Sequence, residues 1–176
     1  MKKIAVATVI ALGALSSAQA QYYGELGYLT STYKESAENY KSKPNAIRLI
    51  GGYNIMENLA VEGMIAFGTN NAKDKTDSGL TGDVTKIKNM VGLYIKPNVD
   101  VSSNVNLFAR IGYARTSYTG TDGDDPWKAN ISKLSYGIGA SYAITPKISL
   151  NGDYMHYFKK EGVTSRGFTV GMGYKF

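Results

Sequence analysis

Hydrophobic and polar residues alternate with a period of two along much of this chain, most clearly at its C-terminus. Between residues 166 and 176 every second position is apolar: Phe168, Val170, Met172, Tyr174 and Phe176. The positions between them hold glycine, threonine or lysine. Successive side chains of a β-strand point to opposite faces, so this alternation predicts a strand with one apolar face.

Seven upstream segments show the same alternation: residues 22–28, 47–55, 59–67, 87–95, 105–113, 134–144 and 148–156. Only Asn89 interrupts the apolar face of the fourth segment. A strand of about ten residues crosses a bilayer when it is tilted by roughly 45°. Together with the C-terminal segment they predict eight strands, the smallest even number found in bacterial transmembrane barrels.

The connections between these strands alternate in length. Short turns are predicted around residues 54–58, 97–104 and 145–147, whereas the connections at 34–44, 70–85, 117–130 and 159–165 are mostly longer and polar. Transmembrane barrels place short turns on the periplasmic side and long loops outside. An open sheet edge is not tolerated in hydrocarbon, so we expect an all-β, eight-stranded antiparallel transmembrane β-barrel in which the last strand pairs with the first.

The first twenty residues carry the pattern of a secretory signal peptide. Lys2 and Lys3 form a positive region, an apolar stretch follows, and Ala18 and Ala20 supply a small-residue cleavage site. The apolar stretch ends at Leu15 and is shorter than the roughly 20 residues of a membrane helix. We expect residues 1–20 to be a cleaved signal peptide and residues 21–176 to form one barrel domain.

The composition excludes several classes of site. The chain has no cysteine, so disulfides, thiolate metal sites and thiol catalysis are excluded. The excess of 20 basic over 14 acidic residues, which includes Lys2 and Lys3, is too small to predict nucleic-acid binding. We expect neither a metal nor a cofactor.

Charged residues of the predicted strands fall on the face opposite the apolar one. They are Glu25, Arg48, Glu62, Lys88, Arg110 and Asp153. A soluble lipocalin-type barrel would instead place its apolar face inside. The lumen of an eight-stranded barrel is just wide enough to be filled by side chains, so these charges are expected to pair there. We favour a structural plug over a gated conduction path, and both remain open.

These patterns resemble the outer-membrane β-barrel domain family, which includes the transmembrane domain of OmpA, OmpX-type proteins and small porin-like surface proteins. The resemblance rests on Tyr174 and Phe176 and on the strand–turn–strand blocks 46–68 and 91–115. It implies a cell outer-membrane location and a C-terminal signal for the barrel-assembly machinery, formed by Phe168, Val170, Met172, Tyr174 and Phe176. Outer-membrane lipid surrounds such a barrel, and we expect a monomer.

Three further groups of residues are candidate sites. His156 would need Ser165 beside it to act in a lipid-A-modifying enzyme, and we favour a histidine at the membrane interface. Asp122, Asp124 and Asp125 have a calcium-like spacing but lack the remaining ligands of an EF-hand loop. Basic residues of the outer connections are candidates to bind lipopolysaccharide phosphates: Lys34, Lys41, Lys43, Lys73, Lys75, Arg115, Lys159, Lys160 and Arg166.

The sequence therefore predicts a non-enzymatic barrel with a structural or surface role in the envelope and with outer loops that contact extracellular ligands. A narrow small-solute porin and a lipid-A-modifying enzyme are the alternatives.

Overall fold

The structure, a computed structural model, describes residues 22–35, 40–70, 72–76, 79–122, 125–160 and 162–176. The predicted signal peptide lies outside the described residues. Within these ranges the chain forms ten strands: β1 (Tyr22–Glu35), β2 (Tyr40–Ser42), β3 (Asn45–Met56), β4 (Leu59–Gly68), β5 (Ala72–Thr76), β6 (Gly79–Asp100), β7 (Val105–Asp122), β8 (Asp125–Ala143), β9 (Ile148–Lys160) and β10 (Val163–Lys175).

The eight long strands pair antiparallel in chain order and close into a barrel. β10 pairs back with β1 in a continuous register that runs from Tyr23 opposite Lys175 to Glu35 opposite Val163. The short strands β2 and β5 extend the wall at one end, where β2 pairs with β1 and β5 pairs with β6. The prediction of an eight-stranded antiparallel β-barrel is confirmed.

The two ends of the barrel differ in their connections. Short turns at residues 57–58, 101–104 and 144–147 lie at one end, where the backbone amide of Phe176 also donates to the carbonyl of Tyr22 at 3.1 Å. We call this the periplasmic end and the opposite one the extracellular end, according to the topology of transmembrane barrels.

The outer wall is an apolar band between two groups of aromatic residues. One group lies toward the periplasmic end and contains Tyr22, Tyr142, Tyr174 and Phe176; the other contains Tyr28, Phe67, Tyr113, Tyr136, Tyr154 and Phe168, and all of them are exposed. Between them lie exposed aliphatic side chains such as Leu49, Leu93 and Ile138. Such girdles are typical where strands cross both membrane–water interfaces. Among the described residues, no helix is long and apolar enough to span a membrane.

Several strands continue beyond the apolar band at the extracellular end. β6, β7 and β8 contain 22, 18 and 19 residues, about twice the number that a bilayer crossing needs. The register of β7 and β8 extends to Asp122 opposite Asp125. The prediction of a loop at 117–130 was therefore wrong for most of its length, because these residues form a β-ribbon.

A β-bulge in β6 reverses the side-chain alternation that the sequence suggested. Ile87 pairs with Tyr118 and Asn89 pairs with Ser117, so Lys88 is an extra residue between them. Ile87 is fully buried inside the barrel, and Lys88 is exposed. The prediction that Lys88 faces the lumen was wrong, because Lys88 is the extra residue of the bulge and its side chain points outward.

A second bulge lies near the extracellular end of β9. Ser165 of β10 pairs with Phe158 while Arg166 pairs with His156, which leaves Tyr157 as the extra residue. Both Tyr157 and Phe158 are buried. The bulge therefore turns two consecutive aromatic side chains into the barrel.

The extracellular half of the lumen is filled by an apolar cluster. Its members are Leu29, Ala46, Ile50, Met64, Ala66, Ile87, Met90, Tyr94, Ala114, Tyr118, Met155, Tyr157 and Phe158, and Tyr33, Trp127, Ile131 and Val163 pack against it. Tyr118 and Phe158 of the cluster and the neighbouring Tyr33 meet edge to face, with the Tyr118 centroid 5.3 Å from that of Tyr33 and 6.1 Å from that of Phe158. The two bulges supply Ile87 and Phe158 to this cluster.

Two glycines on either side of β6, Gly63 of β4 and Gly112 of β7, provide a matched test of the wall packing. A Cβ added at Gly112 would collide with the Leu93 carbonyl oxygen and lie 2.8 Å from the Cα of Tyr94, whereas a Cβ at Gly63 would meet nothing within 4 Å. We expect Gly112→Ala to lower the free energy of unfolding by about 1–3 kcal/mol, because the backbone has to shift. Urea titration of the protein refolded in phospholipid vesicles measures this change.

Gly63→Ala is the control for this substitution and should unfold at the wild-type urea concentration or slightly above it. Equal destabilisation by the two variants would contradict the packing described for Gly112.

Candidate functional site

Six charged side chains from six strands meet in the periplasmic half of the lumen. The acids are Glu25 of β1, Glu62 of β4 and Asp153 of β9, and the bases are Arg48 of β3, Lys96 of β6 and Arg110 of β7. All six are buried. Three negative charges thus face three positive charges, and the group, which we call the lumen charge network, is formally neutral.

Arg110 lies at the centre of the lumen charge network and contacts all three acids. Its Nε donates to Glu62 Oε2 at 2.5 Å, its Nη1 to Asp153 Oδ2 at 2.6 Å, and its Nη2 to Glu25 Oε2 at 2.7 Å. The Arg110 side chain is only 1% exposed. A planar guanidinium with donors in a fixed fork suits this task, because one group satisfies carboxylates on three sides.

The other two cations complete the pairing of the carboxylates. Arg48 donates to both oxygens of Asp153, with an Nη1 to Oδ1 distance of 2.9 Å. Lys96 Nζ lies 3.0 Å from Glu25 Oε1 and 3.2 Å from Glu62 Oε1. Each carboxylate is therefore held by two cations, which offsets the cost of removing it from water.

Aromatic rings surround the cations of the lumen charge network. Lys96 Nζ lies 4.7 Å from the ring centroid of Tyr23 and 4.4 Å from that of Phe108, and the Arg110 guanidinium carbon lies 4.5 Å from the Phe108 centroid. The Tyr23 hydroxyl also donates to Glu62 Oε1 at 2.6 Å. Ring faces attract cations, so Phe108 and Tyr23 stabilise the positive members of the network.

Polar residues connect the lumen charge network to both ends of the barrel. Toward the extracellular side, Arg48 Nη1 donates to the Tyr157 hydroxyl at 3.4 Å, directly below the apolar cluster. Toward the periplasm, a cavity of about 430 Å³ opens among Asp100, Asn106, Ser149 and Lys175. The lumen is thus polar and accessible at its periplasmic end, ion-paired in the middle and apolar at its extracellular end.

Five of the six charges predicted for the lumen are brought together: Glu25, Arg48, Glu62, Arg110 and Asp153. Lys88 is not among them, and the sequence reasoning missed Lys96. Lys96 lies two residues after Tyr94, on the same face of β6, so the alternation of that strand carried the signal. The predicted strand ended at residue 95 and the predicted turn began at residue 97, so Lys96 was assigned to neither.

His156 and Ser165 are on opposite faces of the wall. His156 stacks on the exposed Tyr136, with ring centroids 5.1 Å apart. Ser165 is fully buried inside the barrel, where its hydroxyl bonds to those of Tyr118 and Ser31. The pair that a lipid-A-modifying enzyme would need is therefore not formed.

The remaining candidates are at the surface or outside the described residues. Asp124 lies outside them, and Asp125 is exposed at the start of β8. No cluster of three metal-ligating side chains occurs in the part of the chain that the structure describes. Phe168, Val170, Met172, Tyr174 and Phe176 are all exposed on the outer wall, and their role as an assembly signal stays a prediction.

Removing the central cation should destabilise the barrel strongly. In Arg110→Ala each acid loses one of its two cations: Asp153 keeps only Arg48, and Glu25 and Glu62 share Lys96. Breaking a buried ion pair from one side costs about 3–5 kcal/mol, and we expect a loss of free energy of unfolding in this range. Urea titration in phospholipid vesicles, followed by heat-modifiable gel migration, measures it.

The control is Arg115→Ala, on the same strand but exposed, which should change the unfolding free energy by less than about 0.5 kcal/mol. Wild-type stability of Arg110→Ala would mean that the lumen charge network contributes nothing to the fold.

Three solved structures share this architecture. Neisserial surface protein A superimposes with a TM-score of 0.68 at 18% sequence identity, covering 89% of this chain and 97% of that chain. Ail, the attachment invasion locus protein of Yersinia pestis, superimposes with a TM-score of 0.64 at 18% sequence identity, covering 88% of this chain and 97% of that chain. The N-terminal β-barrel domain of Pseudomonas aeruginosa OprF superimposes with a TM-score of 0.56 at 12% sequence identity, covering 86% of this chain and 97% of that chain. The three TM-scores show a common fold.

The sequence comparisons identify the family. A search of curated proteins found no match. Residues 4–176 match the family model described as the outer membrane protein beta-barrel domain, which spans nearly the whole chain. The chain therefore belongs to the outer membrane protein β-barrel domain family and is an integral protein of the outer membrane.

Proposed function

We propose that this protein is a non-conducting, non-enzymatic surface barrel, in which the lumen serves stability and the extracellular end serves interactions. The observation that carries the proposal is the two-part filling of the lumen. The lumen charge network lies below a closely packed apolar cluster whose members are at most 4% exposed. Ions crossing this barrel would have to break paired charges and then pass through an apolar region, and both steps are costly.

The same geometry gives no support to the enzymatic alternative. The single histidine of the chain, His156, faces the membrane interface, and the Ser165 hydroxyl faces the lumen. A serine nucleophile requires its base within hydrogen-bond reach. We therefore assign His156 to the aromatic girdle.

A narrow porin is the second candidate, and one observation favours it. A cavity of about 430 Å³ already opens at the periplasmic end of the lumen. A rearrangement of the lumen charge network and of the apolar cluster would be needed to extend it through the barrel.

Single-channel recording in planar bilayers distinguishes these two functions. We expect the refolded mature protein to give no discrete openings, because the apolar cluster closes the lumen in addition to the ion pairs. Arg110→Ala should also remain silent for as long as it is folded. Discrete wild-type openings whose conductance changes in Arg110→Ala would establish a porin with a charged gate.

We further propose that cations just above the extracellular aromatic girdle bind phosphate groups of lipopolysaccharide. Lys34 of β1, Lys88 of β6, Arg115 of β7 and Arg166 of β10 are all exposed. Arg115 lies two residues beyond Tyr113, and Arg166 two residues before Phe168, on the outward face of their strands. A structure of Ail contains the heparin analogue sucrose octasulfate, so a barrel of this shape accepts a polyanion.

Vesicle composition tests the lipopolysaccharide proposal. Wild-type protein should unfold at higher urea concentration in vesicles containing lipopolysaccharide than in pure phospholipid. The variant Lys88→Ala/Arg115→Ala/Arg166→Ala should lose most of that increment, at about 1 kcal/mol per cation. Lys147→Ala/Lys175→Ala, which removes two exposed cations at the periplasmic end, is the control and should keep it. An undiminished increment in the triple variant would contradict the proposal.

A further inference from the structure

The periplasmic mouth of the lumen holds a cavity for which the proposed function has no use. Its volume is about 430 Å³, within the range of roughly 300–1,000 Å³ that is usual for small-molecule sites. The turns at residues 101–104 and 144–147 border it, and side chains of the strands from β6 to β10 line it. We call this space the periplasmic cavity.

One wall of the periplasmic cavity, formed by β6 and β7, offers hydrogen-bond acceptors. Asn106 Nδ2 donates to Asn98 Oδ1 at 2.9 Å and to Asp100 Oδ1 at 2.8 Å. Both amide hydrogens of Asn106 are thereby used, so its Oδ1 is left as an acceptor. The Asp100 carboxylate forms no ion pair with any residue that the structure describes. A carboxylate and an amide oxygen on one wall suit a primary ammonium group, which has three donors.

The other wall, formed by β9 and β10, offers hydrogen-bond donors. Gly173 has no side chain, and Ser149 Oγ and Asn151 Nδ2 lie over it, 2.6 and 2.7 Å from the position that a Cβ would take. Asn151 is buried, and its Oδ1 accepts from Ser141 Oγ at 2.6 Å, so Nδ2 is the donor that remains. Lys175 is the next residue of β10 on the same face and is exposed. An ammonium, a hydroxyl and an amide N–H₂ on one wall suit an anionic group.

The charges of the two walls are held apart by the topology of the barrel. Three strands separate β6 from β10 in either direction around the ring, so Asp100 and Lys175 come from opposite sides of the mouth. Lys175, like Asp100, is in none of the ion pairs of the described chain. The lumen charge network adds no net charge, because its three acids and three bases cancel. The periplasmic cavity is therefore polarised, with a negative pole at β6 and a positive pole at β10.

We propose that the periplasmic cavity binds a small zwitterion, a molecule of about dipeptide size with one primary ammonium and one anionic group. The ammonium donates to Asp100 and to Asn106 Oδ1, and the anionic group accepts from Lys175, Ser149 Oγ and Asn151 Nδ2. A dipeptide has a length of roughly 7 Å, which separates its two charges enough to reach both walls. The inference goes beyond the proposed function, because it assigns a binding role to the end of the lumen that faces the periplasm.

A ligand with a single charge is less suitable for the periplasmic cavity. A plain anion would be repelled by Asp100, and a plain cation would be repelled by Lys175, so each would gain one pole and lose at the other. Free dipeptides and the phosphoethanolamine headgroup of a membrane lipid both carry one ammonium and one anionic group. The site is therefore assigned to this shared chemistry, and the experiment separates the two sources.

Three dipeptides that differ only in charge test the zwitterion site. They are dialanine, which is zwitterionic, N-acetyl-dialanine, which is an anion, and dialanine amide, which is a cation. The mature protein is refolded in phosphatidylcholine nanodiscs, and the side-chain amide signals of Asn106 and Asn151 in NMR spectra report binding. We expect saturable shifts with dialanine in the millimolar range or below, and at least tenfold weaker binding of both blocked forms. Equal binding of the three probes, or no saturable shift with dialanine, would overturn the inference.

Two variants assign the poles. Lys175→Gln should weaken dialanine binding at least tenfold without weakening that of dialanine amide, because the amide lacks the group that Lys175 binds. Asp100→Asn should weaken dialanine binding at least tenfold without weakening that of N-acetyl-dialanine. Each pole is thus tested with the probe that does not use it. If either variant weakened all three probes equally, the assignment of the poles would be wrong.

Lys147→Gln is the matched control for Lys175→Gln. The Lys147 ammonium lies 5.9 Å from the ring centroid of Tyr174, whose side chain is exposed on the outer wall. This variant should bind dialanine within twofold of wild type. Asp100, Lys147 and Lys175 are all exposed, so the three variants should fold, and heat-modifiable migration verifies this. An equal loss of binding in Lys147→Gln would mean that net positive charge alone attracts the ligand and would overturn the site.

Glycerophosphoethanolamine, a soluble form of the lipid headgroup, identifies the source of the zwitterion. Tighter binding of dialanine would support the site and assign it to free peptides, whereas tighter binding of glycerophosphoethanolamine would support it and assign it to lipid. Failure of both to bind would overturn the inference. The result is independent of conduction, because a silent bilayer supports the closed lumen whether or not the periplasmic cavity binds a ligand.

Discussion

The pairing of every backbone amide and carbonyl is the constraint on which this structure depends. Inside hydrocarbon an unpaired peptide group costs several kcal/mol, so a sheet can exist there only as a closed ring. The register of β1 with β10 provides that closure. Closure of eight strands then fixes a narrow lumen, because strand number determines barrel diameter. What fills the lumen is a consequence of the ring, since the inward side chains have nowhere else to go.

A narrow lumen explains why its charges come from so many strands. Glu25 and Asp153 lie on either side of the β1–β10 closure, and Arg110 reaches both from β7 across the barrel. The lumen charge network therefore ties β1 and β9, the two strands that flank β10, to the middle of the chain by side-chain contacts across the lumen. Lysine in place of Arg110 would offer one compact ammonium group instead of a planar guanidinium with donors on three sides. A single ammonium does not satisfy three carboxylates that lie on three sides of it.

The sequence predicted the wall well and the lumen in part, for a physical reason. Lipid contact requires every second side chain of a strand to be apolar. The spacing of Leu107, Ile111 and Tyr113 therefore predicted both the strand and its lipid-facing side. Partners across the lumen depend on register, which alternation leaves open, so the contacts of Arg110 were not predictable. A two-residue period also cannot predict a bulge. The alternation of the sequence places Lys88 on the polar face, but Lys88 is the extra residue of a bulge and its side chain points outward. Asn89, an interruption of the apolar face, was the only visible sign of that change.

The bulge at Tyr157 affects both the apolar cluster in the lumen and the outer edge of β8. By adding one residue to β9 it turns Phe158 inward, where the ring completes the apolar cluster beside Tyr118. The same displacement takes β9 away from β8 and leaves the outer amides of β8 without a strand partner in the described chain. Such an edge is tolerable only outside the hydrocarbon, where water satisfies it. Completing the apolar cluster and exposing a strand edge are thus two effects of a single inserted residue, and its position above the membrane makes both compatible with a stable barrel.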